Sequence, residues 1–288
     1  MDLVPAGALG AGALSLGLGL DLFTAFWIGM LHGITPDEHT WPITFSYSVG
    51  SYSRKGGMRA GFLFSATFAV QRALACELAY FALLDFIHHP RWNFYIYIIV
   101  GAVMAASGWY TLRRGRVPHL FHGAAGDAAD PKPIPGYMPL VHGFIAGWGT
   151  GGFALILYTV LAPATGSPYL AFLPGLLFGL GTMVAQMLLG WAFGAWMARR
   201  RLPDAARAYV AHRVAGRTLA GGGLAFVLVG AAGLADPAIG AWGIATGLNI
   251  PNLSHVDVGF FLAVVVLFSV AAYAFISALR EIRAAGEC

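Results

Sequence analysis

The chain has 288 residues, of which 58% are hydrophobic and only 10% charged, with a mean hydropathy of +0.70. A water-soluble globule of this size needs more polar surface, so soluble enzymes and binding modules are excluded and an integral membrane protein is expected. The net charge of +4 and pI near 9.2 do not signal nucleic-acid binding, because the basic residues sit in short loops between apolar runs, where they set topology.

At the N-terminus, Met1-Asp2-Leu3-Val4-Pro5 lacks a basic n-region, so a cleaved signal is not expected. Residues 3–20 are rich in Ala, Gly and Leu and read as an interfacial or re-entrant helix, or as the early part of the first span. A clearer span starts at Asp21 and reaches Gly50. Wholly helical, that stretch would be about 45 Å long at ~1.5 Å per residue, against a hydrocarbon core of about 30 Å. It must bend or unwind, and Pro36 and Pro42 are the places.

Six further spans follow: Ala60–Phe86, Phe94–Leu112, Tyr137–Leu161, Tyr169–Met197, Thr218–Leu234 and Val258–Leu279. Arg199–Arg217 reads as a basic amphipathic segment on the membrane surface. Residues 113–136 form a polar linker with His119 and His122. Of the 17 Lys and Arg residues, all but Arg72 and Arg91 follow spans one, three, five or seven. This places the C-terminus in the cytoplasm and the N-terminus outside, in a prokaryotic-type inner membrane. An eighth span over residues 3–20 would put the N-terminus inside.

Ionisable groups in such spans are costly, roughly 2.5–3.5 kcal/mol each even on insertion scales, and usually line a cavity or ion path. The first span ends in Leu31-His32-Gly33-Ile34-Thr35-Pro36-Asp37-Glu38-His39-Thr40, with two histidines, two carboxylates and a proline. Unwound backbone at that depth is tolerated only where protein or water satisfies it, which again implies a lined cavity. The second span carries Gln71, Arg72, Cys76 and Glu77. Arg72 suits an ion pair with a carboxylate of the opening motif, or else binds an anion, and Gln71 lies beside it on the same path.

An internal repeat is visible. Leu31-His32-Gly33-Ile34 matches Val141-His142-Gly143-Phe144, Gly61-Phe62-Leu63-Phe64 matches Gly175-Leu176-Leu177-Phe178, and Gln71 and Gln186 follow at similar offsets. Three spans per unit invert the second copy. The expected fold is therefore an all-α polytopic bundle of about seven helices: a first repeat over about 21–112, a second over about 137–235, and a last helix at 258–280.

Imidazole with carboxylate suits nickel, cobalt, zinc or iron. His32 and His39 share a helical face but stand about 10.5 Å apart on a regular helix, so one ion needs local unwinding or a ligand from another span. His142, through the repeat, and Glu77, through burial, are the candidate completions.

The stretch from Leu31 to His39 resembles the signature helix of the nickel/cobalt transporter family, which includes urease-associated nickel permeases and nickel/cobalt efflux proteins. The resemblance covers roughly residues 21–235, including the Gly56-Gly57 turn and the His-Gly pair of the second half. It implies transport of a divalent nickel or cobalt ion, with His32 as first signature histidine and Asp37 as signature aspartate. The second signature histidine departs from the pattern: Glu38 holds its place and His39 follows one residue later. Either Glu38 substitutes as a harder, anionic ligand, or unwinding at Pro36 restores His39. The wider superfamily includes thiol carriers, which need a cysteine pair. With Cys76 in a span and Cys288 at the end, that chemistry is excluded.

The expected function is a secondary transporter of a divalent transition-metal cation, with no tightly bound cofactor. Its partners are membrane lipid and the metal itself, and a homo-oligomer is compatible with such a bundle. Two alternatives stand beside it: a proton-coupled transporter of an anion or small solute using Arg72, and a metal-dependent membrane enzyme or accessory subunit.

Overall fold

The apolar runs fold into helices, and the interruptions fall where proline and glycine break the backbone ladder. The computed structural model describes residues 6–37, 40–81, 91–114, 136–200, 202–247 and 255–284. Nine helices are described: α1 (Ala6–Ile34), α2 (Trp41–Gly50), α3 (Arg54–Tyr80), α4 (Trp92–Arg114), α5 (Tyr137–Ala146), α6 (Gly152–Ala164), α7 (Phe172–Ala198), α8 (Asp204–Ala235) and α9 (Val258–Ala284). Among the described residues, six are long and apolar enough to cross a bilayer: α1 (over Gly17–Ile34), α3, α4, α7, α8 and α9. The protein is an all-α integral membrane protein.

Three expectations need correction, and one pair of alternatives is decided. Of the two readings of residues 3–20, the described residues follow the second: from Ala6 onward they run straight into α1, a single helix of 29 residues. The first span breaks at Pro36 but not at Pro42, which sits in the first turn of α2, where its missing N–H costs nothing. The fourth span is split into α5 and α6, two short apolar helices. Arg199–Arg217 does not lie flat on the membrane as one segment. From Asp204 its residues belong to α8, one helix of 32 residues whose Ala206, Val210, Ala211 and Val214 are buried. Its Arg217 and Arg213 meet Glu281 of α9 at 2.5 and 3.8 Å, so neighbouring protein takes up two of the charges that suggested an interfacial helix. The expected loop before α9 also contains a small antiparallel hairpin, β1 (Gly243–Ala245) against β2 (His255–Asp257).

Two antiparallel helix pairs organise the bundle. In the first, α3 lies along α7. Gly57 and Gly190 touch through each other's backbone, Gly61 touches Gln186, and Gly175 touches Arg72. In the second, α4 lies along α8, with Gly101 against Gly223 and Gly108 against Gly216. Small residues let these backbones approach, as in other membrane bundles. The pairings collect Arg54, Lys55, Arg113, Arg199 and Arg217 at one end of the bundle.

The contacts also fix the register of the internal repeat. Gly29 of α1 packs on the carbonyl of Phe178, and Gly143 of α5 packs on the carbonyl of Phe64. One sequence shift relates both pairs (143 − 29 = 178 − 64 = 114). A Cβ at either glycine would collide with the facing carbonyl, so both positions need glycine. The repeat is thus a broken helix followed by two long ones, first α1/α2, α3 and α4, then α5/α6, α7 and α8, with α9 appended.

This register corrects part of the sequence alignment. The Gly61 and Gly175 motifs correspond as expected. The two His-Gly motifs do not: His32 corresponds to Ala146, and His142 to Ile28, a displacement of about one helical turn. The counterpart of Gln186 is Arg72 rather than Gln71.

Candidate functional site at the paired helix breaks

Each broken helix ends inside the bundle and exposes backbone carbonyls that need donors. The two repeats meet that need reciprocally. Gln186 Nε2 of α7 donates to the Gly33 carbonyl at the end of α1, at 3.0 Å. Its counterpart Arg72 of α3 donates through both terminal nitrogens to the Gly149 carbonyl between α5 and α6, at 3.2 Å each. Trp41 Nε1 adds a second bond to Gly33, at 3.2 Å. The second break is tied to the start of α4, where Trp92 Nε1 donates to the Trp148 carbonyl at 2.9 Å and Asn93 brackets Thr150.

His32 lies in the last turn of α1 and is 3% exposed. Its ring stacks on Phe178 and Phe68 at 5.1 and 5.7 Å between centroids, and Phe153 of α6 meets it edge-on at 5.5 Å. Asp37 is also buried, and its carbonyl accepts from the Thr40 and Trp41 amides at the start of α2. The end of one helix favours a cation and the start of the next an anion, and these two residues occupy those ends in that order. His32 Nδ1 and Asp37 Oδ2 are 3.8 Å apart. That exceeds a hydrogen bond. It is close to the ~3.4 Å between two ligands held about 2.1 Å from one metal at a tetrahedral angle.

Arg72 shares the aromatic walls of His32. Its guanidinium lies 4.9 Å from the Phe68 centroid and 5.8 Å from that of Phe178, and Nη1 donates to the Tyr158 hydroxyl at 2.5 Å. Tyr158 belongs to a π-helical turn, Leu157–Leu161, within α6. Such turns re-aim side chains at functional sites. Of the two carboxylates in the opening motif, Asp37 does not pair with Arg72, and Glu38 lies outside the described residues; among the described residues no carboxylate lies within ion-pair distance of Arg72. Carbonyl, phenol and ring faces hold the charge instead.

The remaining candidates sit elsewhere. His142 is buried, but its Nδ1 lies 3.0 Å from the Met138 carbonyl and 2.9 Å from the Tyr47 hydroxyl. Glu77 is half-buried on α3, five positions past Arg72. Among the described residues no group of three His, Cys, Asp or Glu side chains could hold a metal ion, so neither His142 nor Glu77 completes a site with His32 and Asp37. The one-turn register shift explains why His142 does not face its expected partner. Gln71 is buried with its side chain against Gly147. Glu38, His39, His119 and His122 lie outside the described residues.

The sequence reading missed Phe68, Phe153, Phe178 and Tyr158, because aromatic residues in a span are ordinary core residues until their partners are known. It also passed over His212, buried on α8 with Nδ1 2.9 Å from the Ala208 carbonyl. Comparison with known protein families, curated proteins and solved structures returned no match.

Proposed function

We propose that the protein is a secondary transporter of a divalent transition-metal cation, nickel or cobalt in the first instance, with zinc or iron chemically acceptable at the same donors. One observation carries this reading: a buried imidazole and a buried carboxylate face each other at 3.8 Å across a helix break inside a membrane bundle. Donors of that kind suit borderline transition metals. A break between inverted repeats is where transporters of other folds hold substrate, and the resemblance of the Leu31–His39 stretch to nickel/cobalt transporters points the same way. Glu38 or His39 supplies the further ligand. Nothing in the sequence resembles a phosphate-cradling Gly-Lys-Ser/Thr loop, so an ion gradient or another subunit supplies the energy. The basic end of the bundle faces the cytoplasm of a prokaryotic inner membrane, with the N-terminus outside and the C-terminus inside.

The test is metal uptake by proteoliposomes under an imposed proton or sodium gradient. His32→Ala and Asp37→Asn should each reduce uptake at limiting metal by at least about tenfold, the lower end of what disturbing a metal's ligand set costs. Full uptake by both variants would overturn the reading.

A second reading rests on Arg72. Its guanidinium is buried without a carboxylate partner among the described residues, which suits an anionic or small polar solute moved with protons carried by Asp37. Transport of that kind survives chelators and is lost in Arg72→Gln.

A further inference from the structure

Eight of the ten residues of α2 are buried, yet its sequence carries Thr44, Ser46, Tyr47 and Ser48 and is flanked by Thr40 and Ser51. A buried hydroxyl without a partner costs about 1–3 kcal/mol, so a helix enclosed by others would ordinarily be apolar here. Ser46 and Ser48 turn to carbonyls, those of Pro42 at 2.7 Å and Gly57 at 3.3 Å. Thr40 and Thr44 do not: both are buried, and neither hydroxyl has a hydrogen-bond partner among the described residues.

These hydroxyls are ordered in space. Thr40, Thr44, Tyr47 and Ser51 recur at intervals of four, three and four, so they lie along one helical face. Its deep end adjoins Asp37, whose carbonyl bonds the Thr40 amide. At its other end a cavity of about 360 Å³ opens between α2, α3 and α5, lined by Tyr47, Ser51, Tyr52, Arg59 and Pro139 among others. Tyr47 stands between the two. It lines the cavity, and its hydroxyl meets Nδ1 of His142, whose Nε2 is buried with no partner among the described residues.

We propose that the Thr40–Thr44–Tyr47–Ser51 face of α2 is the path by which a hydrated divalent cation passes between the His32–Asp37 pair and the basic end of the bundle, with Tyr47, held by His142, as its constriction. The path rests on the transport reading above. Hydroxyl oxygens along it replace part of the ion's water shell without binding tightly enough to stop it. Burial alone does not predict such a path. Ile43, beside Thr44, is equally buried, at 0% against 1% exposure.

The experiment uses the full-length protein with Cys76→Ala and Cys288→Ser as background, reconstituted in vesicles. A membrane-impermeant cationic thiol reagent is applied from either side to Thr44→Cys, Thr40→Cys and Ile43→Cys. Thr44→Cys should react roughly tenfold faster than Ile43→Cys when reagent meets the Arg54–Arg59 face, because modification follows how often water reaches the thiol. Adding Tyr47→Ala should raise that rate again, and nickel should slow it. Equal rates for Thr44→Cys and Ile43→Cys, or faster labelling from the opposite face, overturn the path. An unchanged rate after Tyr47→Ala overturns the constriction. Thr40→Cys repeats the test if Thr44→Cys is not monodisperse. The two readings fail separately. Fast labelling without nickel protection keeps the path and removes the metal, whereas slow labelling with His32-dependent uptake removes only the path.

Discussion

Arg72 grips the carbonyl of Gly149 with both terminal nitrogens across the boundary between the two repeats, at 3.2 Å each. A lysine cannot reproduce this, because a point charge on a flexible stem neither forks around a carbonyl nor stacks flat on Phe68. Arg72→Ala is expected to lower stability by about 1.5–3 kcal/mol, the scale of hydrogen bonds made by a charged group. Arg72→Gln should lose less, since glutamine serves the same task at position 186. Thermal unfolding in one detergent compares the two variants, and equal losses would contradict the reciprocal arrangement.

The paired close approaches give a sharper test of the repeat register. Gly29→Ala and Gly143→Ala each drive a methyl into a facing carbonyl and should destabilise by about 1–3 kcal/mol, as overpacking does. Gly17→Ala, in the same helix as Gly29 with nothing within 4 Å of the added methyl, should be neutral or stabilising by up to ~1 kcal/mol through helix propensity. Unfolding midpoints of the three variants decide it.

The two histidines of the repeated His-Gly motif should part company. His32→Ala is expected to abolish metal retention by purified protein. His142→Gln should leave it within about twofold, because His142 is engaged with Tyr47 and Met138 rather than with Asp37; loss of a ligand, by contrast, costs tenfold or more. Elemental analysis after gel filtration reads the difference. Equal loss in both would restore His142 as a ligand.

At the basic end, Glu281 binds Arg217 at 2.5 Å and accepts from the Tyr209 hydroxyl at 2.7 Å, joining α8 to α9. Its side chain is 37% exposed, so the network is screened. Glu281→Gln should cost about 1 kcal/mol or less at low ionic strength and less still in high salt. Unfolding at two salt concentrations measures both values.

Local chemistry made much of this protein legible in the sequence. Hydropathy alone identifies a membrane bundle, because a bilayer imposes one length and one polarity on whatever crosses it. Pro36 marks the first break, since a residue without an N–H cannot continue the ladder. His32, Asp37 and Arg72 stand out because charge is expensive at that depth. The second break, between Ala146 and Gly152, was hidden: glycines fill that stretch, and glycine is equally common inside membrane helices.

What the sequence by itself determined is the class of the protein, the first helix break and the identity of its buried ionisable groups, all properties of single residues or short runs. Only the tertiary structure decided what those groups face. A His-Gly pair moved by one helical turn stays on the same side of its helix, so sequence alone cannot distinguish His142 opposite His32 from His142 beside Tyr47. The choice comes from the contacts of Gly29 with Phe178 and Gly143 with Phe64, made between segments more than seventy residues apart. The same packing gives Arg72 a carbonyl and a phenol as partners, and encloses His32 in three phenyl rings.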